Sequence, residues 1–226
     1  MKKAFCSWSS GKDSTLAFYR ASAQGFDVRY LFNMACEDSG RSHSHNISQE
    51  LLDAQCGATG ISLVQGKASW DTYEREFKKA VSGLREKDIT HGIFGDIDLQ
   101  PHRDWVERVC GEIGITPVLP LWKAERKSLM GEFIKAGFEA RVVVTNAKWL
   151  GEEWLNRSID ENFVKDLSAV KGVDACGEGG EYHTFVTDGP VFKKRIGILN
   201  TKKVLQATKW GNYWFLNIED YKIIDK

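Results

Sequence analysis

Charge of either sign is not in excess: 31 lysines and arginines face 31 aspartates and glutamates, so the formal net charge is zero. That balance excludes a protein that coats nucleic acid or anionic membrane by bulk electrostatics, although a local patch is compatible with it. No apolar run approaches the roughly 18 residues of a membrane-spanning helix. The opening Met1-Lys2-Lys3-Ala4-Phe5-Cys6-Ser7-Trp8 turns polar too soon for a secretory signal. The five cysteines, Cys6, Cys36, Cys56, Cys110 and Cys176, are widely spaced and form no CxxC pair. A disulfide framework or structural zinc site is therefore not expected, and a reducing cytoplasm is the expected setting. Internal repeats and low-complexity stretches are also missing.

What is present is an average soluble composition, with 42% hydrophobic residues in a chain of 226. A chain of this size buries about 70% of its unfolded surface, enough for a core without staples, in one large domain or two small ones. The first half alternates strand-like and helical patterns. Strands are predicted at 4–9, 28–34, 62–64, 92–94 and 117–119. Helices are predicted at 15–23, 47–55, 70–84 and 103–113, with Trp70, Tyr73, Phe77, Ala80 and Leu84 sharing one face of the third. Strands alternating with helices imply βαβ units and a parallel sheet, with ligands at the carboxyl ends of the strands. The second half differs. Helices at 127–136 and 161–170 and a strand at 140–145 precede four strand-like stretches, 182–186, 191–199, 204–209 and 213–218. The expected fold class is thus α/β: a nucleotide-type domain over residues 1–123, then a smaller α+β domain over 124–226, with the boundary near 121–125. Charge divides as well: residues 150–188 carry nine acidic and three basic side chains, and residues 189–226 carry three acidic and eight basic ones.

The strongest local signal is Ser9-Ser10-Gly11-Lys12-Asp13-Ser14, between the first strand and the first helix. Small residues let backbone N–H groups approach an anion, and the helix presents its positive end to phosphate. Ser9 and Ser14 can donate hydroxyl hydrogen bonds, and Lys12 adds a point charge. Asp13 suits such a loop only by capping backbone donors or by acting through a metal ion. No Walker-type GxxxxGK[ST] loop occurs. The blander reading is an ordinary strand–turn–helix with a capped helix.

The hexapeptide resembles the SGGxDS pyrophosphate loop of the N-type ATP pyrophosphatases, with Ser10 where those enzymes usually have glycine. Later segments extend the likeness: Gly95-Asp96-Ile97; RDWVERVC from Arg103 to Cys110; Pro120-Leu121-Trp122; GEGGEYHT from Gly177 to Thr184; and Asp188 to Lys193. In order and spacing they resemble the diphthine–ammonia ligase family, whose pyrophosphate-loop (PP-loop) domain is of the adenine nucleotide alpha-hydrolase-like (HUP) type. The resemblance implies an ATP-dependent, AMP- and pyrophosphate-forming ligase that adenylates a carboxylate and amidates it with ammonia. Its acceptor would be diphthine on translation elongation factor 2 or, in a bacterial relative, a small carboxylate.

The resemblance implies roles residue by residue. Ser9, Ser10, Gly11, Lys12, Asp13 and Ser14 would hold the ATP phosphates, with Lys12 and Asp13 catalytic. Asp96 would hold magnesium or the ribose, unless it only caps a helix, and Asp13 is the other candidate magnesium ligand. Glu178 and Glu181, the other two catalytic candidates, would bind magnesium, ammonium or a cationic group of the substrate. Their alternative is a polar hairpin whose glycines satisfy turn geometry. Gly179, Gly180, Tyr182, His183, Trp154 and Arg157 are the substrate-side candidates, and His45 is an ATP-side candidate.

Three departures from the family pattern fall at Ser10, at Asn156 (for a glycine) and at His183 (for a glutamate). The stretch Asp98-Leu99-Gln100-Pro101-His102-Arg103 departs too, and His102 and Arg103 are read as a surface helix start or as acidic-substrate ligands. His43 and His45 have a metal-like HxH spacing with no third ligand in view, so a solvated loop is expected. Trp122, Trp149, Trp154, Trp210 and Trp214 could stack on an adenine or substrate ring, but most are read as core or interface residues.

A tRNA-thiolating enzyme would need cysteine pairs and a basic surface that are missing here. A non-catalytic nucleotide sensor would keep the loop without needing the Glu-Gly-Gly-Glu block. An N-terminal-nucleophile glutaminase needs cysteine after Met1, where this chain has Lys2, so ammonia is expected free or from a separate protein. A homodimer is compatible with the family and with the C-terminal aromatics.

Overall fold

A computed structural model describes residues 2–226. The first half builds a five-stranded parallel sheet in the order β3-β2-β1-β4-β5 from β1 (Lys2–Ser7), β2 (Phe26–Cys36), β3 (Ser62–Ala68), β4 (His91–Ile93) and β5 (Thr116–Val118). The intervening helices are α1 (Lys12–Ala23), α2 (Gln49–Thr59), α3 (Tyr73–Arg85) and α4 (Gln100–Glu112). Side chains alternate across the sheet, as strand geometry requires. From β1, Ala4 and Cys6 enter the apolar cluster holding α1 and α2, while Phe5 enters the opposite cluster with Phe77, Val81 and Val109 of α3 and α4. Both faces are covered, which is why these strands read as continuous apolar runs.

The second half forms a four-stranded sheet, β7-β6-β9-β8, from β6 (Glu139–Asn146), β7 (Tyr182–Asp188), β8 (Lys194–Thr208) and β9 (Gly211–Asp225), with all its pairs antiparallel. Two helices accompany it, α5 (Arg126–Lys135) and α6 (Glu161–Ser168). The α1 cluster continues into this half through Phe133, Phe138, Phe185 and Val186. Arg20 near the end of α1 pairs with Glu132 of α5 and donates to the Pro120 carbonyl at 3.0 Å. Among the described residues no helix is long and apolar enough to cross a membrane.

Two local expectations are corrected. The stretches 191–199 and 204–209 are not separate strands. Phe192 closes a turn onto Gly189, and β8 then runs unbroken for 15 residues. The polar Asn200–Lys203 interrupts the apolar pattern but not the pairing with β9, because irregularities flanking Asn200 absorb the phase change. Trp70 is not on the core face of α3. A Ser69–Thr72 turn, with Ser69 N–H donating to Thr72 Oγ1 at 3.1 Å, delays the helix to Tyr73 and leaves Trp70 51% exposed.

Candidate active site

The strand order sets the position of the site. β1 pairs with β2 on one side and β4 on the other, so the loops leaving β1 and β4 diverge and open a crevice at their carboxyl ends. Ser9 to Ser14 follow β1, and Gly95-Asp96 follow β4. The remaining wall comes from Cys176 to Thr184, ahead of and within β7. Together they line a cleft of about 330 Å³.

The loop after β1 is held by both halves of the chain. Ser10 lies in the left-handed region at φ 71°, and its carbonyl accepts from Val186 N–H and from Gln55 Nε2, each at 3.0 Å. The same Gln55 donates to the Val186 carbonyl at 2.7 Å and accepts from Trp8 Nε1 at 2.8 Å. Gly11 is the helix N-cap, and a Cβ there would collide with the His45 ring. Lys12 N–H, one of the orphan donors of the first turn, is taken by Thr184 Oγ1 at 3.0 Å. Ser9 and Ser14 share a hydroxyl contact of 3.1 Å.

Lys12 is 4% exposed. Its ammonium lies 2.8 Å from Asp13 Oδ2, donates to the Cys176 carbonyl and sits 5.1 Å from the Tyr182 ring centroid. Burial pushes the lysine toward neutrality, but Asp13, Tyr182 and Cys176 together outweigh it and hold the pKa above the ordinary value. Glu178 behaves oppositely. Burial, then repulsion by Asp13, raises its pKa to about 7. His45 is pushed down to about 4 by burial, against the opposing effect of its bond to the Thr184 carbonyl. A carbonyl only accepts, so His45 Nδ1 donates across that 2.8 Å contact, and Nε2 of the neutral ring is an acceptor. His183 lies 4.7 Å from it, ring to ring, and is likewise held neutral, by burial, by its closeness to His45 and by the Lys12 ammonium. The HxH pair is thus no solvated loop: His45 packs on Gly11, and His43 packs on Trp70 at 4.8 Å.

Among the other sequence candidates, Asp96, Gly180, Tyr182 and His183 line the cleft, and Asp96 Oδ1 lies 3.2 Å from His102 Nδ1. Glu181 does not line it. The side chain is buried and folds back over Gly179, and Oε1 accepts from Asp174 N–H at 3.2 Å. Among the described residues nothing bonds its Oε2. Trp154 and Arg157 are also elsewhere. Trp154 packs edge-on against Phe163, while Arg157 covers the Trp154 ring at 4.5 Å and pairs with Asp166. Asn156, at the family's glycine position, has φ 67°, so its departure keeps a left-handed residue with a side chain that tolerates one.

Several contributors were not singled out by sequence. Arg126 at the start of α5 grips Asp98 with contacts of 2.8 to 3.2 Å and also pairs with Asp174. Asp174 Oδ1 in turn accepts from Cys176 and Glu178 N–H. The Glu178 loop is thereby tied to the residues after β4. No local signal marks this bridge, because its partners lie 28 and 48 positions from Arg126. Gln55 did carry a signal, as a polar residue one turn after Leu51 on an apolar helix face.

Gly95 permits this closeness. A Cβ there would lie 2.9 Å from the Asp13 carbonyl carbon and the Ser14 nitrogen, backbone atoms that cannot swing aside. Gly95→Ala is expected to cost about 1–3 kcal/mol of stability and to displace the α1 N-terminus. ATP affinity, read by calorimetry beside a thermal melt, should fall by roughly ten-fold or more. Unchanged affinity would show that the loop has room to move.

Comparison with known proteins follows the same division of the chain. A family model described as the diphthamide synthase N-terminal domain matches residues 1–117, and one described as the diphthamide synthase C-terminal domain matches residues 125–224. A human protein named diphthine–ammonia ligase is 34% identical over 224 residues, covering 88% of this chain and 84% of its own. A rat protein of the same name is 27% identical over 223 residues, with 88% and 84% coverage. A Schizosaccharomyces pombe protein of that name is 34% identical over 235 residues, but the match spans 93% of this chain and only 38% of that longer one.

Proposed function

The chain belongs to the diphthamide synthase family, and from that premise we propose that it is an ATP-dependent ligase that adenylates a carboxylate and amidates it with ammonia. The observation that carries this reading is the convergence of Lys12 and Asp13 with Glu178 in one cleft at the sheet's switch point. A nucleotide sensor needs the first two, but not a carboxylate whose pKa is raised to about 7.

The chemistry follows from the groups present. A carboxylate is a poor acyl donor because oxide is a poor leaving group. Attack of a carboxylate oxygen on the α-phosphorus of ATP breaks the bond to pyrophosphate and forms an acyl-adenylate. Lys12 and the N–H groups opening α1 face the charge that gathers on the departing pyrophosphate. Ammonia then attacks the acyl carbon, expels AMP and leaves an amide. Ammonium is no nucleophile until it loses a proton, and Glu178 is the cleft carboxylate best matched to take it near neutral pH. His45, neutral with Nε2 as acceptor, suits a ribose hydroxyl or an adenine amino group rather than phosphate.

Among the described residues no three His, Cys, Asp or Glu side chains gather to cage a metal. Magnesium commonly takes one or two carboxylates and completes its shell with phosphates and waters, and Asp13 and Asp96 on the cleft wall fit that pattern. Magnesium bound there would neutralise phosphate charge.

Diphthine is the acceptor that the relatives' name supplies, and a small carboxylate is the alternative. The test is pyrophosphate release from ATP with ammonium and a panel of acceptors that includes diphthine-bearing elongation factor. Release that requires both ammonium and one carboxylate supports the ligase. ATP binding with no release across the panel favours the sensor.

A further inference from the structure

Glu178 belongs to a stretch without regular structure, residues 169–181 between α6 and β7. A base must stay within hydrogen-bond reach of the proton it takes, and such a stretch has no ladder to fix it. Beyond the turns that Gly177 and Gly180 close, side chains hold it in place.

One side chain spans from this stretch to the loop after β4. Arg126 opens α5, and its Nε and Nη2 grip both oxygens of Asp98 at 2.8 to 3.2 Å. Its Nη1 donates to Asp174 Oδ2. With Oδ2 engaged, Asp174 turns Oδ1 to the backbone, accepting from Cys176 N–H at 2.6 Å and from Glu178 N–H at 3.3 Å. The stretch bonds back as well, since the Cys176 thiol donates to the Arg126 carbonyl at 3.4 Å. A planar fork of five donors can grip two carboxylates at once; lysine, a compact point charge, lacks that fork.

Arg126, Asp98 and Asp174 do not line the cleft, but Asp96, Cys176 and Glu178 beside them do. We propose that Arg126 is a positioning residue for Glu178: by clamping Asp174 to Asp98 it holds Glu178 on the cleft wall. The same clamp presents the Cys176 carbonyl to Lys12. The proposal rests on the ligase reading for what Glu178 does there. The fold itself has other ties, because the Tyr182 hydroxyl donates to the Ala175 carbonyl at 2.6 Å and β7 pairs with β6.

Two roles for Arg126 differ in sign. Burial, then Asp13, lifts Glu178 to about 7; Asp96 and Asp98 add to this, Lys12 opposes it, and His102 of α4 feels Glu178 in return. A positioning Arg126, once removed, lets Glu178 leave its buried seat, and the pKa falls. An Arg126 that acts only by its charge leaves Asp98 unneutralised when removed, and the pKa rises.

The test is a carbon-13 NMR titration of the Glu178 carboxyl in the full chain without ATP, its signal assigned with Glu178→Gln. Arg126→Met and Arg126→Lys are both expected to lower the midpoint by about one pH unit or more. The Cys176 and Glu178 amides should exchange at least ~ten-fold faster, while Val186, whose N–H is bonded to the Ser10 carbonyl, stays within about two-fold. Thermal melts establish that each variant is folded. A midpoint that rises, a midpoint and exchange that do not move, or a lysine variant that matches the parent would each overturn the positioning role. In the acceptor panel kcat should fall roughly ten-fold, with KM for ATP within about two-fold. A parent that releases no pyrophosphate sinks the ligase reading alone, because titration and exchange still decide the clamp.

Discussion

Replacing Lys12 with methionine is expected to lower pyrophosphate release by at least ~100-fold, the scale on which single charge-stabilising groups act. The size of the effect comes from where Lys12 sits. Its ammonium holds Asp13 from its own loop, the Cys176 carbonyl from the other half of the chain and the face of Tyr182. Methionine fills similar volume but keeps none of these. It leaves a 30% exposed Asp13 carboxylate without its partner and the Cys176 carbonyl without its donor. Breaking a buried pair on one side costs about 3–5 kcal/mol, and the partial exposure of Asp13 places this case at the low end. ATP affinity by calorimetry and a thermal melt separate lost binding from lost fold. Turnover within ten-fold of the parent, in a folded variant, would remove Lys12 from the proposed chemistry.

Glu178→Gln is expected to move activity and stability in opposite directions. In the folded chain, burial and the nearby charge of Asp13 lift Glu178 from the ordinary carboxylate range to about 7. The native state therefore holds this proton more tightly than the unfolded state does. Between the ordinary value and about 7 the native state binds more protons, so stability falls as pH rises through that window. Above it, an ionised Glu178 penalises the fold. Glutamine does not titrate. The variant should match the parent near pH 4 and exceed it near pH 8 by roughly 2 kcal/mol, after a discount for the partly solvated cleft. Denaturant unfolding at the two pH values reads this directly. Activity should fall by about 100-fold or more, in the range for loss of a general base. The parent is expected to show a rising limb near pH 7 as Glu178 ionises, and the variant should lack it. A variant that keeps that limb would assign it to another group.

These two residues also show how far the linear sequence reaches. The loop around Lys12 was legible because its chemistry is local: small residues, a lysine and a helix start, all within six positions. Glu178 was legible only as half of a carboxylate pair. That Glu178 faces the cleft while Glu181 turns inward depends on the turn at Gly179 and on Asp174 N–H drawing in the Glu181 carboxylate. Ser10 and Asn156 stand out as departures from glycine, yet the shared reason, a positive φ at both, is a backbone property that no side chain announces. Trp154 and Arg157 fit a family motif, but they stack on each other away from the cleft.

The alternation of apolar runs and helical faces was enough to determine the α/β first half, the parallel sheet and the end of the sheet where the cleft opens. Those follow from periods of two and 3.6 residues and from the geometry of crossovers, which act over short stretches of chain. The tertiary structure alone decided which distant groups meet. It brought the Cys176 carbonyl to Lys12 across 164 positions, tied Arg126 to both Asp98 and Asp174, and enclosed a chamber with aromatic residues from α3, α4 and the loops beside them. Contacts of that range are set by how whole elements pack, so they appear in the fold and leave no mark in any one segment of the sequence.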